Sequence, residues 1–227
     1  MAQAAVTLLE RIRKFAIVSD VPATYHGTYL RQVGEMRMSP ADPWLSFKAE
    51  QTLSAAGVDF RWTARAHVAR WLPATIVDAV ASNRGILCVR VFGMFPVARF
   101  KGPRLDKGEI MRGLAEMPWR PTGFIDQPNL SWTTAAENLL TATFDDGRIR
   151  ATVNCKIAGN GRVLAVNAPD RPRTVGKQIV ETPWSGVFAD YQEFNGIRVP
   201  TRAEVTWHLP EGPFPCWRAH VTEFGFV

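Results

Sequence analysis

The chain has 227 residues, 46% hydrophobic and 21% charged, which suits one globular domain able to bury roughly 70% of its unfolded surface without staples. Its 27 basic residues exceed the 21 acidic ones, giving a net charge of +6. Six of those cations are Lys, and no basic group is longer than Arg11-Arg13-Lys14 or Arg171-Arg173, too little for a stripe that tracks a nucleic-acid backbone. Cys88, Cys155 and Cys216 are widely spaced and odd in number, which argues against a disulfide framework and fits reduced thiols in a cytoplasmic protein. The first residues lack the order of a secretion signal, and no run approaches the 18 or so apolar residues of a spanning helix.

Residues 1–21 form an amphipathic segment. Over 2–19, Val6, Leu9, Ile12 and Phe15 recur every third residue, with Glu10, Arg11, Arg13 and Lys14 on the remaining surface, and Pro22 ends the helix. Such a basic helix can lie on a membrane, but packing against its own domain is the stronger expectation. From Gly34 the period changes to two. Phe60, Trp62, Ala64, Ala66 and Val68 alternate with Arg61, Thr63, Arg65 and His67, the pattern of a half-buried strand. Similar runs at 76–81, 85–92, 97–101, 138–144, 148–157, 162–167, 178–182, 187–194, 198–209 and 216–224 fill two strand blocks, 34–101 and 131–227. Asp146-Gly147, Asn160-Gly161 and Asn195-Gly196 supply the residues that tolerate positive φ in tight hairpins, so the strands are read as an antiparallel meander. Between the blocks a helix is expected over 106–117. Asp106 serves as its N-cap, Glu109 follows three residues later, Ile110, Met111, Leu114 and Met117 form an apolar stripe, and Pro118 stops it. The expectation is one mainly β domain of the α+β class over 1–227. Eleven or so strands form a strongly curved half-barrel or open barrel, covered by the N-terminal and internal helices.

Absent motifs carry information. No G-x-G-x-x-G, phosphate-binding G-x-x-x-x-G-K or G-x-S-x-G is present, and His26, His67, His208 and His220 are too scattered for a zinc site, so neither metal nor cofactor is expected. Three sets of polar residues remain. Glu109 and Arg112 stand one helical turn apart, either as a cap with a surface ion pair or as a charged pair presented to a ligand beneath the helix. Alternation sends Asp190 to the face of Phe188 and Phe194, and Tyr191 to the opposite one. A carboxylate buried among those rings would titrate high enough to move a proton, whereas an exposed one would pair with an Arg across the sheet. Glu204 and His208 share a strand face with Arg202 and Thr206, which is either solvated or the wall of a wet cavity holding an acid–base pair. Trp62, Trp119, Trp132, Trp184, Trp207 and Trp217, together with Phe188, supply rings for a core or for a pocket lining.

The stretch Lys107-Gly108-Glu109-Ile110-Met111-Arg112-Gly113-Leu114-Ala115-Glu116, followed by Trp119-Arg120-Pro121-Thr122, resembles an uncharacterised bacterial domain-of-unknown-function family. Phe60-Arg61-Trp62-Thr63-Ala64-Arg65, Thr182-Pro183-Trp184-Ser185-Gly186, Asp190-Tyr191 and Glu204-Val205-Thr206-Trp207 match as well. The layout is also similar to the half-barrel of bacterial lipoprotein carriers, which hold acyl chains between a curved sheet and covering helices. The resemblance implies a fold and no reaction. One departure is visible: the family helix carries an aromatic where this chain has Gly113, a loss that would enlarge a neighbouring cavity.

Two functions follow as expectations. The first is binding of a small hydrophobic or aromatic molecule in a Trp-rich cavity between the sheet and the internal helix. The second is a cofactor-independent lyase or isomerase in the same cavity, with Asp190 or Glu204 moving a proton, Tyr191 or His208 assisting and Arg112 steadying negative charge. Neither reading requires nucleic acid or a membrane surface as partner, and both are compatible with a homo-oligomer.

Overall fold

The computed structural model describes the chain except residues 1, 20, 23, 24, 70, 121–126, 128 and 177. Pro121 and Thr122 of the helix motif therefore lie outside the described residues. One antiparallel sheet of thirteen strands dominates. Strands β1 (Gly27–Met36), β2 (Leu45–Ser54), β3 (Phe60–Ala69), β4 (Leu72–Ala81), β5 (Arg84–Val91) and β6 (Phe95–Phe100) make a first meander. A second contains β7 (Leu130–Ala136), β8 (Leu139–Asp145), β9 (Arg150–Ile157), β10 (Val163–Val175), β11 (Gln178–Phe194), β12 (Ile197–Leu209) and β13 (Gly212–Phe226). Because β1 pairs with β13, the two meanders join in the middle, and β6 and β7 become the outer edges.

The single meander read from the turns is thus two. The segment between β6 and β7 carries the chain from one edge of the sheet to the other, which no local turn signal records. The strand count also rises. The runs at 178–182 and 187–194 fuse into β11, because Pro183 lies opposite the bulge between Ala168 and Arg171, where a missing N–H breaks no ladder bond. Asn195 (φ 50°) and Gly196 (φ 79°) form the expected two-residue turn between Phe194 and Ile197, and Ser82 and Asn83 (φ 51° and 60°) form a similar turn without glycine.

Two helices close the concave side. Helix α1 (Ala2–Ala16) buries Ala5, Leu8, Leu9, Ile12 and Ala16. The expected stripe through Val6 is corrected: a strict spacing of three drifts around a helix of 3.6 residues per turn, and Val6 faces outward at 45% exposure. Helix α2 begins at Pro103, after Gly102 at φ 125°, and ends at Ala115, followed by a 3₁₀ turn over Met117–Trp119. Asp106 is therefore no N-cap. It lies inside the first turn at 2% exposure, accepts a hydrogen bond from the Gly85 amide at 2.8 Å and pairs with Arg148 at 2.8 Å. Those bonds tie α2 to β5 on one side and to the β8–β9 turn on the other, so the helix spans the mouth of the curled sheet. Among the described residues no helix is long and apolar enough to cross a membrane.

Candidate functional site

Under α2, the apolar inner face of the sheet is interrupted by polar residues. Along β2 the inward positions are Phe47, Ala49, Gln51 and Leu53, and along β4 Asp78 lies between Ile76 and Val80. Arg112 reaches down from the helix and donates to Asp78 at 2.5 Å and to Glu116 at 2.7 Å, with its guanidinium over the rings of Phe60 and Trp62. Gln51 donates to the other oxygen of Glu116 at 2.5 Å, and Gln32 accepts from the Trp62 indole at 2.9 Å. Burial opposes the Arg112 charge, but Glu116, Asp78 and Glu109 hold its pKa above the ordinary guanidinium range.

Glu109 is neither a cap nor half of an exposed ion pair. It is 7% exposed, and burial first, then the neighbouring Asp78 charge, push its pKa well above the carboxylate range against the pull of Arg171 and Arg112. Glu109 Oε2 and Asp78 Oδ1 are both buried without a heavy-atom donor. A proton kept by Glu109 and given to Asp78 satisfies both. Arg171, its pKa lowered by burial, stacks over Trp184 and Trp207 at 4.7 and 5.4 Å.

Side chains fill this interface. Ile110 and Met111 are fully buried, Trp62, Trp119 and Trp184 are each 3% exposed, and Trp119 packs edge-on to Phe188 at 5.6 Å. Trp132, Trp207 and Trp217 are half-buried against the same core. Among the described residues these rings belong to the buried core beside the charged network, and none of them lines the outer-face groove. Nor does Gly113 leave a void, since a β-carbon there would meet the Val58 carbonyl oxygen at 2.5 Å. Backbone occupies the room that an aromatic would need.

The other candidates are scattered. Asp190 is exposed at φ 53°, skipped in the β11–β12 ladder between Ala189 and Tyr191, and paired with Arg202 at 3.4 Å. The ladder keeps its register here, so it is the left-handed backbone at Asp190, opposite Thr201, that breaks the alternation: Asp190 is exposed while Tyr191 is half-buried. The Tyr191 hydroxyl donates to the Val163 carbonyl at 2.7 Å, its ring meets Phe15 of α1 edge-on, and burial raises its pKa. Glu204 and His208 share a face but stand four residues apart along β12, with His208 bonded to Ser185 at 2.8 Å, so they form no acid–base pair. Among the described residues no three His, Cys, Asp or Glu side chains gather as a metal site.

The outer face carries a large cavity. An open groove of about 1170 Å³ runs across seven strands, from β4 through β1 and β13 to β11. Two cross-strand rows line it. One runs Thr75, Arg65, Lys48, Val33, His220, Arg202, Ala189, and the other includes Glu35, Arg218, Glu204 and Val187. Val33 and Val187 are exposed there at 39% and 49%. Arg218 pairs with Glu35 at 2.6 Å and Arg202 with Asp190, whereas Lys48 and Arg65, adjacent across β2 and β3, have no carboxylate partner among the described residues. Of the sequence candidates, the groove takes Glu204 alone. Sequence reasoning missed Lys48 and Arg65 because exposed cations on alternating strands read as ordinary solvated surface. Asp78 and Gln51 were detectable, being polar residues at apolar-face positions.

A curled antiparallel sheet with helices across its mouth recurs in solved structures. A DUF1329-family protein from Desulfovibrio piger is similar with a TM-score of 0.58 at 13% identity, over 99% of this chain and 92% of that one. A LolA-superfamily protein from Nitrosomonas europaea gives 0.50 at 11% identity, over 98% and 93%. A domain from Vibrio parahaemolyticus, described as an outer-membrane lipoprotein-sorting candidate, gives 0.55 at 8% identity, over 100% and 93%. At these identities the likeness concerns the fold. The chain belongs to the family of unknown function DUF6544, whose model matches residues 11–219. No curated protein matches the sequence.

Proposed function

We propose that the protein binds a small hydrophobic or aromatic molecule bearing a negative charge, and that the outer groove is its seat. The observation that carries this reading is the placement of two cations without a carboxylate partner among the described residues, Lys48 and Arg65, beside exposed Val33 in a groove of about 1170 Å³. Apolar surface of that extent favours burial of a ligand's hydrocarbon, while the cations select its anionic end. The half-barrel likeness to a lipoprotein-sorting candidate supports hydrophobic-ligand binding in general. The acid–base alternative finds less support, because among the described residues the one carboxyl with a strongly raised pKa, Glu109, lies on the inner face, away from the groove.

The test uses titration calorimetry with dodecanoate and its neutral counterpart dodecanol. Saturable, salt-sensitive binding of dodecanoate is expected, weakened about fivefold by Lys48→Ala and again by Arg65→Ala, in line with about 1 kcal/mol per exposed charge contact. Equal affinity for the two compounds, or affinity untouched by both substitutions, overturns the assignment.

A further inference from the structure

Beside the groove the sheet ends in an apolar tip. Trp71, in the β3–β4 turn, is 73% exposed, and across the β5–β6 turn Phe92 is 50%, Met94 71% and Phe95 60% exposed. The Phe92 amide donates to the Pro73 carbonyl at 2.9 Å, so the two turns form one unit, and Gly93 between Phe92 and Met94 also borders the groove. Phe92 holds φ 50°. A bulky side chain rarely adopts that backbone conformation, and here the ring gains no burial in return. Folding alone does not account for it.

Charge around the tip is one-sided. From residue 60 to 105 the sequence has seven Arg and one Lys against one acid, Asp78, which is occupied by Arg112 in the interior. Arg90 and Arg99 next to the tip are exposed, with no carboxylate partner among the described residues. The N-terminal helix does not compete for this role, since its apolar stripe is buried against the sheet, as its pattern led one to expect. Exposed aromatic and Met side chains ringed by unpaired Arg match an anionic lipid surface, where rings enter the interface and cations meet headgroups. A second copy of the chain is the poorer occupant, since two such edges would bring like charges together.

We propose that the β3–β4 and β5–β6 turns dock the protein on anionic membrane surfaces. This does not depend on what the groove binds. The test is co-sedimentation of the full chain with vesicles of phosphatidylcholine alone or mixed with phosphatidylglycerol. Binding to the mixed vesicles alone is expected, falling with added salt. Phe92→Gly suits the positive φ, so it should leave thermal stability and dodecanoate affinity unchanged while weakening vesicle binding about tenfold. Arg90→Glu combined with Arg99→Glu should abolish the preference for phosphatidylglycerol, at about fivefold or more per cation. Equal binding to both vesicle types, or binding unmoved by either variant, overturns the proposal. So does a dimer in sedimentation that Phe92→Gly dissociates while mixed vesicles go unbound.

Discussion

Arg112 on α2 donates to Asp78 on β4 at 2.5 Å, and this buried ion pair fastens the covering helix to the sheet. Removing one member leaves the other charged and unpaired in the interior, which typically costs about 3–5 kcal/mol. Arg112→Ala is expected to lose that much in urea unfolding. Arg112→Lys should recover part of it, because a single ammonium cannot fork to Asp78 and Glu116 as the guanidinium does. A loss below about 1 kcal/mol for Arg112→Ala would mean that water reaches the pair.

Glu109 makes stability depend on pH. Its folded pKa lies well above the carboxylate range, so the native state keeps a proton that the unfolded chain releases. Above the unfolded pKa the unfolded state binds fewer protons, and stability falls as pH rises toward the folded value. Its contribution is full below the unfolded pKa and is lost as pH passes through the raised one. Glu109→Gln keeps the shape of the protonated acid and removes the titration. Urea midpoints between pH 5 and pH 8 should therefore decline for the parent relative to Glu109→Gln, and parallel profiles would show that Glu109 is ionised in the fold.

Strand periodicity, hairpin turns and the apolar stripe of α2 were legible because each depends on neighbours in sequence. The inner network was not, because it forms across long separations: Gln51 meets Glu116, and Asp78 meets Arg112, only after the chain crosses from one sheet edge to the other. The groove was invisible for the same reason, since its two rows run perpendicular to the strands. Asp190 failed differently. Its left-handed backbone breaks the period of two without shifting the ladder register, and no composition cue in Ala189-Asp190-Tyr191 marks that conformation.

That positive φ makes Asp190 a test of conformation rather than catalysis. Asn tolerates positive φ nearly as well as Asp, so Asp190→Asn should leave stability within about 0.5 kcal/mol and ligand affinity unchanged. Asp190→Val places a β-branched residue at φ 53° and should cost about 1–2 kcal/mol. Loss of function from Asp190→Asn in a folded protein would restore a chemical role for the carboxylate.

Trp119 separates core from binding surface. Its indole donates to the Pro200 carbonyl at 2.9 Å, and its own carbonyl accepts from the Thr28 hydroxyl at 2.8 Å, all on the inner side of the sheet. Trp119→Ala should cost about 3–5 kcal/mol in unfolding experiments. Measured at low temperature, where the variant stays folded, dodecanoate affinity should match the parent. A large affinity loss with little change in stability would return the ligand to the helix side.

The last prediction concerns how closely α2 lies on the sheet. A β-carbon at Gly113 would approach the Val58 carbonyl oxygen to 2.5 Å, and the Gly113 carbonyl itself accepts from buried Arg120, whose pKa burial lowers to about 10. Gly113→Ala gains helix propensity but forces backbone apart, and overpacking of this kind costs about 1–3 kcal/mol. Lifting α2 would also separate Arg112 from Asp78, so the loss should add less than independently when Gly113→Ala is combined with Arg112→Ala. Fully additive losses would show that the helix can shift at Gly113 without disturbing the ion pair one residue away.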